Sequence, residues 1–285
     1  MRIRSVNMFH TGVLRLPNLS ICSQAPAGIG THPLSCALIE HPQHGTILFD
    51  TGLGSEVSEI LFQRVATLPL YKWLARALLS LNFDPTCDSF LTKLRALGVD
   101  PRTIQHVILS HLHSDHTGGM RDLPNALFYV SRTEWRHRPL RDSLGTLLKG
   151  WHPADYNGAA VHLVDHDQPL SGYAPFDFGY DIFGDESCIL LSTPGHTPGH
   201  QSLLLRLASG REVLLLGDAV YMNACVRGPY EISRIARSFR SDDSTAWNTV
   251  QRLHALWTNH PDLTLIACHD HTLGQQLKRG PVVII

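Results

Sequence analysis

The fold of this chain is decided by one stretch of sequence, Ser110-His111-Leu112-His113-Ser114-Asp115-His116-Thr117-Gly118-Gly119. The stretch directly follows an apolar run at 107–109, which predicts a short buried strand. Because alternate residues of an extended backbone face the same way, His111 and His113 can reach one metal ion together. Asp115 and His116 lie where the chain turns and can point to a second ion nearby. A protein core does not bury three histidines and an aspartate without partners, so the stretch predicts a metal site.

Three further candidate ligands follow apolar runs in the same manner. His196 lies in a loop at 192–200 whose two prolines and two glycines predict a rigid backbone. Asp218 follows the run 214–216, and His269 follows the run 265–267. Ligands at the ends of strands converge on one edge of a sheet, where rigid elements hold them in place. The full candidate set is His111, His113, Asp115, His116, His196, Asp218 and His269.

The remaining sequence alternates predicted strands with predicted helices, which favours two sheet-and-helix halves packed as a sandwich. Strands are predicted at 35–40, 46–49, 107–109, 126–130, 189–191, 202–207, 212–216 and 263–267. Helices are predicted at 57–81, with a break near Pro69, at 88–97 and at about 243–257. Ser131 and Glu134 form a capping-box pattern that opens another helix. No linker or low-complexity tract divides the chain, so we expect one domain over 1–285 with a helical insert at about 57–81.

The composition is that of a globular protein, with 43% hydrophobic residues, 17% charged residues and a net charge of -1. This balance argues against a disordered chain and gives no support to nucleic-acid binding. The six cysteines form no C-x-x-C pair, so we expect reduced thiols and a cytoplasmic protein. The first ten residues lack the apolar core of a signal peptide. The most apolar stretch, 60–81, has charged interruptions, so we do not expect membrane insertion.

The order of the motifs resembles that of the metallo-β-lactamase superfamily: H-x-H-x-D-H, then G-H, then G-D, then a final histidine. The resemblance extends from Phe49-Asp50-Thr51-Gly52 to His269 and so covers almost the whole chain. It implies an α/β (α+β) fold, the αββα sandwich, with metal ions at one edge.

The resemblance also assigns the candidate ligands to two divalent metal ions. It implies that His111, His113 and His196 bind one ion, that Asp115, His116 and His269 bind the other, and that Asp218 bridges them. The family's usual metal is zinc, and iron, manganese or cobalt replaces it in some members. Nitrogen and oxygen ligands fit any of these ions.

Within the superfamily, Asp218-Ala219-Val220-Tyr221 is the most informative segment. A tyrosine three residues after the bridging aspartate resembles the N-acyl homoserine lactonases, which are quorum-quenching enzymes. The implied reaction is hydrolysis of a lactone ring by a hydroxide shared between the two metals, whose pKa they lower. Tyr221 is expected to donate a hydrogen bond to the developing oxyanion, and Asp115 to return a proton to the leaving group.

Other readings of the same residues stay open. A phosphotriesterase-like or a glyoxalase II-like hydrolase uses the same metals, although no obvious basic patch for glutathione is present. A non-catalytic binding protein on this fold is a third alternative, which the intact ligand set disfavours. The expected partner is a small lactone or ester, and the apolar insert at 57–81 predicts an acyl-chain groove or a homodimer contact.

Residues beside the candidate ligands receive lesser roles. Asp50 is expected to orient a ligand histidine without binding metal itself, and His200 to be structural. Cys268 is expected to point away from the site, because neighbouring side chains of a strand face opposite ways.

Overall fold

The computed structural model describes residues 1–22, 25, 27–54, 81–82, 88–143, 145–146, 149–228, 237 and 240–285. The predicted helical insert therefore lies outside the described residues, except that position 81 begins a short strand. Within the described residues, no helix is both long and apolar enough to cross a membrane.

Two sheets form the centre of the molecule, one with eight strands and one with six in the described part of the chain. The first contains β1 (Ser5–Pro17), β2 (Ile29–His41), β3 (Gly45–Phe49), β4 (Leu81–Asn82), β5 (His106–Ile108), β6 (Leu127–Ser131), β7 (Val161–Val164) and β14 (Val282–Ile284). The second contains β8 (Gln168–Pro169), β9 (Phe178–Asp181), β10 (Cys188–Ser192), β11 (Gln201–Arg206), β12 (Glu212–Gly217) and β13 (Thr264–Ala267). The strands predicted from sequence are confirmed.

The helices of the described chain lie around these sheets. They are α1 (Phe90–Ala96), α2 (Ser114–Thr117), α3 (Arg132–His137), α4 (Ala224–Arg227), α5 (Asp243–Asn259) and α6 (His271–Leu277). The helices predicted at 88–97 and 243–257 are confirmed as α1 and α5. Asp242 caps α5 by accepting hydrogen bonds from Ser244 N and Thr245 N, which satisfies two of the free N–H groups at its start.

Alternation along the strands builds a core of three layers. Leu190 and Leu203 face the other sheet, whereas Leu191 and Leu204 face the opposite way, as the two-residue period of a strand requires. The residues between the sheets include Val6, Ile39 and Ile47 from the first and Leu190, Leu203 and Val213 from the second. This shared core confirms the predicted packing of one sheet on the other.

Helices cover the two outer faces. Val250, Leu253 and Leu256 of α5 are buried against the second sheet, and each such side chain contributes about 1.5–3 kcal/mol. Phe90 and Leu94 of α1 are buried against the first sheet. The order helix, sheet, sheet, helix is the αββα architecture that the sequence predicts.

Strand direction gathers the candidate ligands at one edge. Strands β3, β5 and β6 are parallel, as are β12 and β13. Their carboxyl ends therefore meet, and the residues that follow them face one another across the sandwich.

The predicted capping box at Ser131 and Glu134 is wrong. Ser131 is the N-cap residue of α3, but its side chain makes no capping hydrogen bond. The Glu134 carboxylate instead accepts hydrogen bonds from Leu112 N and Gly199 N, which lie in two other loops. Tertiary partners thus replace the local bond that the sequence pattern indicates.

Candidate metal centre

Three histidine rings converge to form the first ligand group, which consists of His111, His113 and His196. His196 Nε2 lies 3.1 Å from His111 Nε2 and 3.0 Å from His113 Nδ1. Tetrahedral ligands bound at about 2.0–2.1 Å from a metal lie roughly 3.3 Å from one another. The three nitrogens are therefore spaced as ligands of one ion.

The electrostatics of this group keep its nitrogens available. Burial holds the pKa of His111 and His196 well below the usual value and lowers that of His113 to about 4. Neighbouring histidines act in the same direction on His111. The rings are thus neutral at neutral pH, the form in which imidazole binds a metal.

The second ligand group consists of His116, Asp218 and His269. Asp218 Oδ1 lies 3.2 Å from His269 Nε2 and 3.6 Å from His116 Nε2. Its other oxygen, Oδ2, lies 3.4 Å from His196 Nε2 of the first group. Oδ2 also lies 3.3 Å from His269 Nε2, so the Asp218 carboxylate stands between the two groups.

Carboxylates dominate the electrostatics of the second group. Burial opposes the charge on His116, but Asp50, Asp115 and Asp218 outweigh it and raise the pKa of His116 well above its usual value. Burial likewise opposes the charge on His269, and Asp218 more than compensates, so that its pKa is raised. Burial disfavours the ionised form of Asp218, yet His269 and His116 hold the pKa of Asp218 well below its usual range.

Asp115 lies at the solvent-facing side of the second group. Its Oδ2 is 3.7 Å from His116 Nε2 and 3.9 Å from His269 Nε2, and 28% of its side chain is exposed. Asp115 is thus within reach of both histidines and of solvent.

The chemistry of the donor set fits divalent metal ions. His116 Nε2 and Asp218 Oδ1 are buried and have no hydrogen-bond partner among the described residues. An unpaired buried polar atom costs about 1–3 kcal/mol or more, and a cation between these atoms removes that cost. Together with the converging histidine nitrogens, these atoms make the centre a binding site for divalent metal.

Backbone and side-chain contacts fix the orientation of the second group. Asp50 Oδ2 accepts a hydrogen bond from His116 Nδ1 at 2.8 Å, and Asp50 Oδ1 accepts one from Ser110 N at 2.7 Å. His269 Nδ1 donates to Pro33 O at 2.8 Å. Each contact turns Nε2 of its histidine toward the centre. The predicted orienting role of Asp50 agrees with this geometry.

The contacts of His200 agree with its predicted structural role. His200 is fully buried, and its Nε2 accepts a hydrogen bond from the backbone N–H of Asp218 at 3.0 Å. Its Nδ1 donates to Thr193 Oγ1 at 2.9 Å. His200 therefore ties the loop that carries His196 to the backbone that carries Asp218.

Tyr221 lies between the two groups. Its hydroxyl oxygen is 3.1 Å from His196 Nδ1, and its ring centroid is 5.7 Å from that of His269. Burial raises the pKa of Tyr221 well above its usual value, Asp218 raises it further, and Arg240 opposes them. Tyr221 is therefore a neutral phenol and a hydrogen-bond donor at neutral pH.

Comparison with known proteins agrees with this centre. The family model of the metallo-beta-lactamase superfamily matches residues 29–269. The chain belongs to that superfamily. It is a metal-dependent hydrolase.

Relatives within the superfamily are close enough to compare over most of their length. N-acyl homoserine lactonase AttM of Rhizobium radiobacter is 31% identical over 258 residues, which cover 87% of this chain and 86% of the relative. The probable metallo-hydrolase Rv2300c of Mycobacterium tuberculosis is 28% identical over 251 residues, or 84% of this chain and 75% of the relative. The crystal structure of a quorum-quenching N-acyl homoserine lactone lactonase superposes with a TM-score of 0.71 at 22% identity, covering 97% of this chain and 96% of the other.

The metallo-beta-lactamase architecture brings all seven predicted ligands to one edge of the sandwich. Six lie in or between the two groups, and Asp115 lies beside the second group. Their roles as metal ligands stay predictions.

The expectation for Cys268 is wrong. Its sulfur lies within 4.8 Å of the ligand atoms of His116, Asp218 and His269. Strand β13 ends at Ala267, so the alternation of a strand does not extend to Cys268. Glycine or turn residues follow the other strands that precede candidate ligands. They indicate that the backbone turns there, and so that the two-residue period of a strand does not apply at Cys268.

Proposed function

We propose that this chain opens the ring of N-acyl homoserine lactones at a pair of divalent metal ions, most commonly zinc in this superfamily. The observation that carries the proposal is the position of Tyr221, a buried phenol beside His196 and between the two ligand groups. The lactonase names of the AttM relatives support the same substrate class.

When bound, the metal pair supplies Lewis acidity and lowers the pKa of water toward neutrality. The proton on the His196 ring decides what Tyr221 does. When the lone pair of His196 Nε2 faces the first ligand group, Nδ1 carries the ring proton and donates a hydrogen bond to the Tyr221 oxygen. The phenolic hydrogen is then free to bind a substrate carbonyl oxygen as negative charge develops there.

Asp115 completes the proton balance. Its partly exposed carboxylate lies beside His116 and His269 and can take up the proton released by the attacking water. Passing that proton to the ring oxygen yields the alcohol of the opened product. Asp218, which lies between the two groups, would contribute a carboxylate ligand to the metal pair.

We further propose one domain over 1–285, with the segment at 57–81 as an insert that forms the acyl-chain groove or a homodimer contact. The single family match over 29–269 supports one domain. The apolar residues of the insert, together with its internal charges, support the second part. The cysteines of the described chain form no disulfide bond with one another, which supports a cytoplasmic location.

A substrate panel tests the proposal. Purified protein is loaded with zinc, manganese, cobalt or iron and assayed with N-hexanoyl and N-decanoyl homoserine lactone, a phosphotriester and S-lactoylglutathione. We expect the homoserine lactones to give the highest kcat/KM, and elemental analysis to give close to two ions per chain. Preference for the phosphotriester or thioester contradicts the substrate class. Full activity with one ion per chain under metal excess contradicts the metal pair.

A further inference from the structure

Glu134 is a buried carboxylate that the proposed reaction does not use. It lies on α3, outside both ligand groups, and is fully shielded from solvent. Burial raises the pKa of Glu134, and the Thr197 side chain and the backbone N–H groups of Leu112 and Gly199 oppose that rise. A carboxylate in such a position needs partners, and its partners are informative.

The two oxygens of Glu134 hold the two loops that carry the first ligand group. Oε1 accepts from Leu112 N at 3.1 Å, and Leu112 stands between His111 and His113. Oε2 accepts from Gly199 N at 2.9 Å, in the loop that carries His196. One rigid carboxylate therefore spans the gap between the loops that supply all three histidines.

The loop that carries His196 packs closely against α3 at Gly199. A Cβ atom at Gly199 would lie 2.0 Å from Glu134 N and 2.6 Å from Glu134 Cα. The loop of His196 is thus pressed directly onto the backbone of α3. Leu112 is fully buried on the other side, so neither loop can shift to compensate for a change at Glu134.

We propose that Glu134 is a positioning residue, which sets the separation of the two ligand loops and thereby the affinity of the first ligand group for its metal ion. The inference rests on the proposed metal pair. It requires two acceptors facing two N–H donors, which only a carboxylate of this length offers. Glutamine keeps one acceptor and directs an NH2 group at the other N–H, whereas aspartate is one carbon too short to reach both loops.

The test measures metal affinity in backgrounds that isolate each ligand group. The variant His269→Ala leaves the first group intact, and His113→Ala leaves the second intact. In the His269→Ala background, Glu134→Gln is expected to weaken zinc binding about 10–100-fold, as for other residues that orient metal ligands. In the His113→Ala background, the same change is expected to alter zinc affinity less than about threefold. Chelator competition measures both constants.

Matched controls separate positioning from general destabilisation. Glu212→Gln removes the same charge from a partly buried carboxylate that contacts Tyr173 and Arg206, and it should leave both constants unchanged. Gly199→Ala disturbs the same contact from the other side and should reproduce the loss. Gly145→Ala should not, because the nearest atom to its added Cβ is Ser143 Oγ at 3.8 Å. The cobalt-loaded Glu134→Gln protein should show an altered visible spectrum, and saturating metal should restore much of its kcat.

Three results would overturn the inference. One is a folded Glu134→Gln protein whose first-group affinity equals that of the parent. Another is an equal loss at both groups accompanied by a lower Tm. The third is a Glu134→Asp protein that binds like the parent. If the His269→Ala and His113→Ala proteins with Glu134 intact bind no metal, and the parent chain binds none either, the proposed function fails. Titration of the parent chain therefore separates failure of the proposed function from failure of the inference about Glu134.

Discussion

The two ligand groups use the same residue types in opposite electrostatic surroundings. In the first, three histidines face one another, and burial lowers the pKa of each. In the second, carboxylates surround His116 and His269 and raise the pKa of both. The first group therefore presents free lone pairs, whereas the second presents protons that a metal ion must displace.

The difference shows how one fold edge can make two unlike metal positions from one cluster of histidines. The first group is neutral, buried and tied to α3 through Glu134. The second is charged, tied to Asp50, and open to solvent at Asp115. Asp218 is a member of the second group and also lies 3.4 Å from His196 of the first, so its removal should affect both groups.

Removing Asp218 should have the largest effect. Asp218→Ala deletes the only carboxylate placed between the groups in the described structure, and leaves His116 and His269 facing each other without it. Metal-ion catalysis supplies several kcal/mol of transition-state stabilisation, so kcat/KM for lactone opening should fall at least ~10³-fold.

Elemental analysis of Asp218→Ala should show that metal is lost along with the fall in kcat/KM. Asp165→Ala, which removes an exposed carboxylate paired with Arg132, serves as the control and should match the parent. A near-normal rate for Asp218→Ala would remove the bridging assignment.

A substitution at Asp50 should have a smaller effect, confined to metal binding by the second group. Asp50→Asn removes the charge that faces His116 and weakens its hold on Nδ1, so the second ion should bind about 10–100-fold more weakly while the first is little affected. Asp100→Asn, at an exposed carboxylate paired with Arg102, is the matched control. Equal weakening of both ions would show that Asp50 supports the whole edge and not the second group alone.

Features of the fold and the metal centre could be predicted from the sequence where the interacting residues are close together in the chain or follow the family pattern. The spacing of apolar residues predicts β5 and α5, because it depends only on neighbouring residues. The order of the motifs predicts which side chains meet, because the candidate ligands follow strand ends in the pattern of the family. The prediction for Cys268 was wrong because strand β13 ends one residue before it, and the prediction for Glu134 was wrong because its partners lie in distant loops. A local cap pattern describes neighbours three residues apart, whereas Glu134 binds residues 22 and 65 positions away.

The electrostatic contrast also lies beyond sequence reasoning. His113 and His116 are three residues apart, yet their pKa values shift in opposite directions. Burial lowers both, but at His116 the carboxylates of Asp50, Asp115 and Asp218 outweigh it. Asp50 reaches His116 from a separate strand end. Only the packed structure shows which histidine receives that carboxylate.

The pH dependence of metal binding sharpens the comparison further. The pKa of His116 and His269 is raised above the usual 6.5, so both keep their protons at pH values at which an ordinary histidine is neutral. The affinity for the second ion should then fall by about tenfold per pH unit for each proton displaced. The pKa of His113 is about 4, so the first ion should keep its affinity to about pH 5.

Titration calorimetry in buffers of different ionisation enthalpy measures both affinities and the protons released. Proton release on binding the second ion but not the first is the expected signature. Parallel loss of both affinities between pH 8 and pH 6 would show that the two groups do not differ as their surroundings indicate.

The smallest effect is expected at Tyr221, which lies between the groups without belonging to either. Tyr221→Phe removes the phenolic hydrogen that is proposed to bind the lactone carbonyl and leaves the ring packing in place. A lost oxyanion donor typically costs ~2.7–4 kcal/mol. A metal ion that polarises the same oxygen shares that task, so lactone opening should slow by only about tenfold.

The substrate dependence of this change is what gives it meaning. Negative charge collects on one oxygen when a lactone carbonyl is attacked, and one donor then matters; at phosphorus, several oxygens share the charge, so a phosphotriester should be less affected. Tm should match the parent, because the ring packing stays in place. Tyr221→Phe also removes the hydrogen-bond partner of His196 Nδ1, so metal content is measured and both rates are compared at saturating metal. Tyr180→Phe, which removes a hydroxyl bound to His162, controls for loss of a phenol elsewhere and should leave both rates unchanged. If Tyr221→Phe opens N-acyl homoserine lactones as fast as the parent, Tyr221 only fills space between the groups. The substrate assignment then loses its structural support, although the metal centre keeps its own.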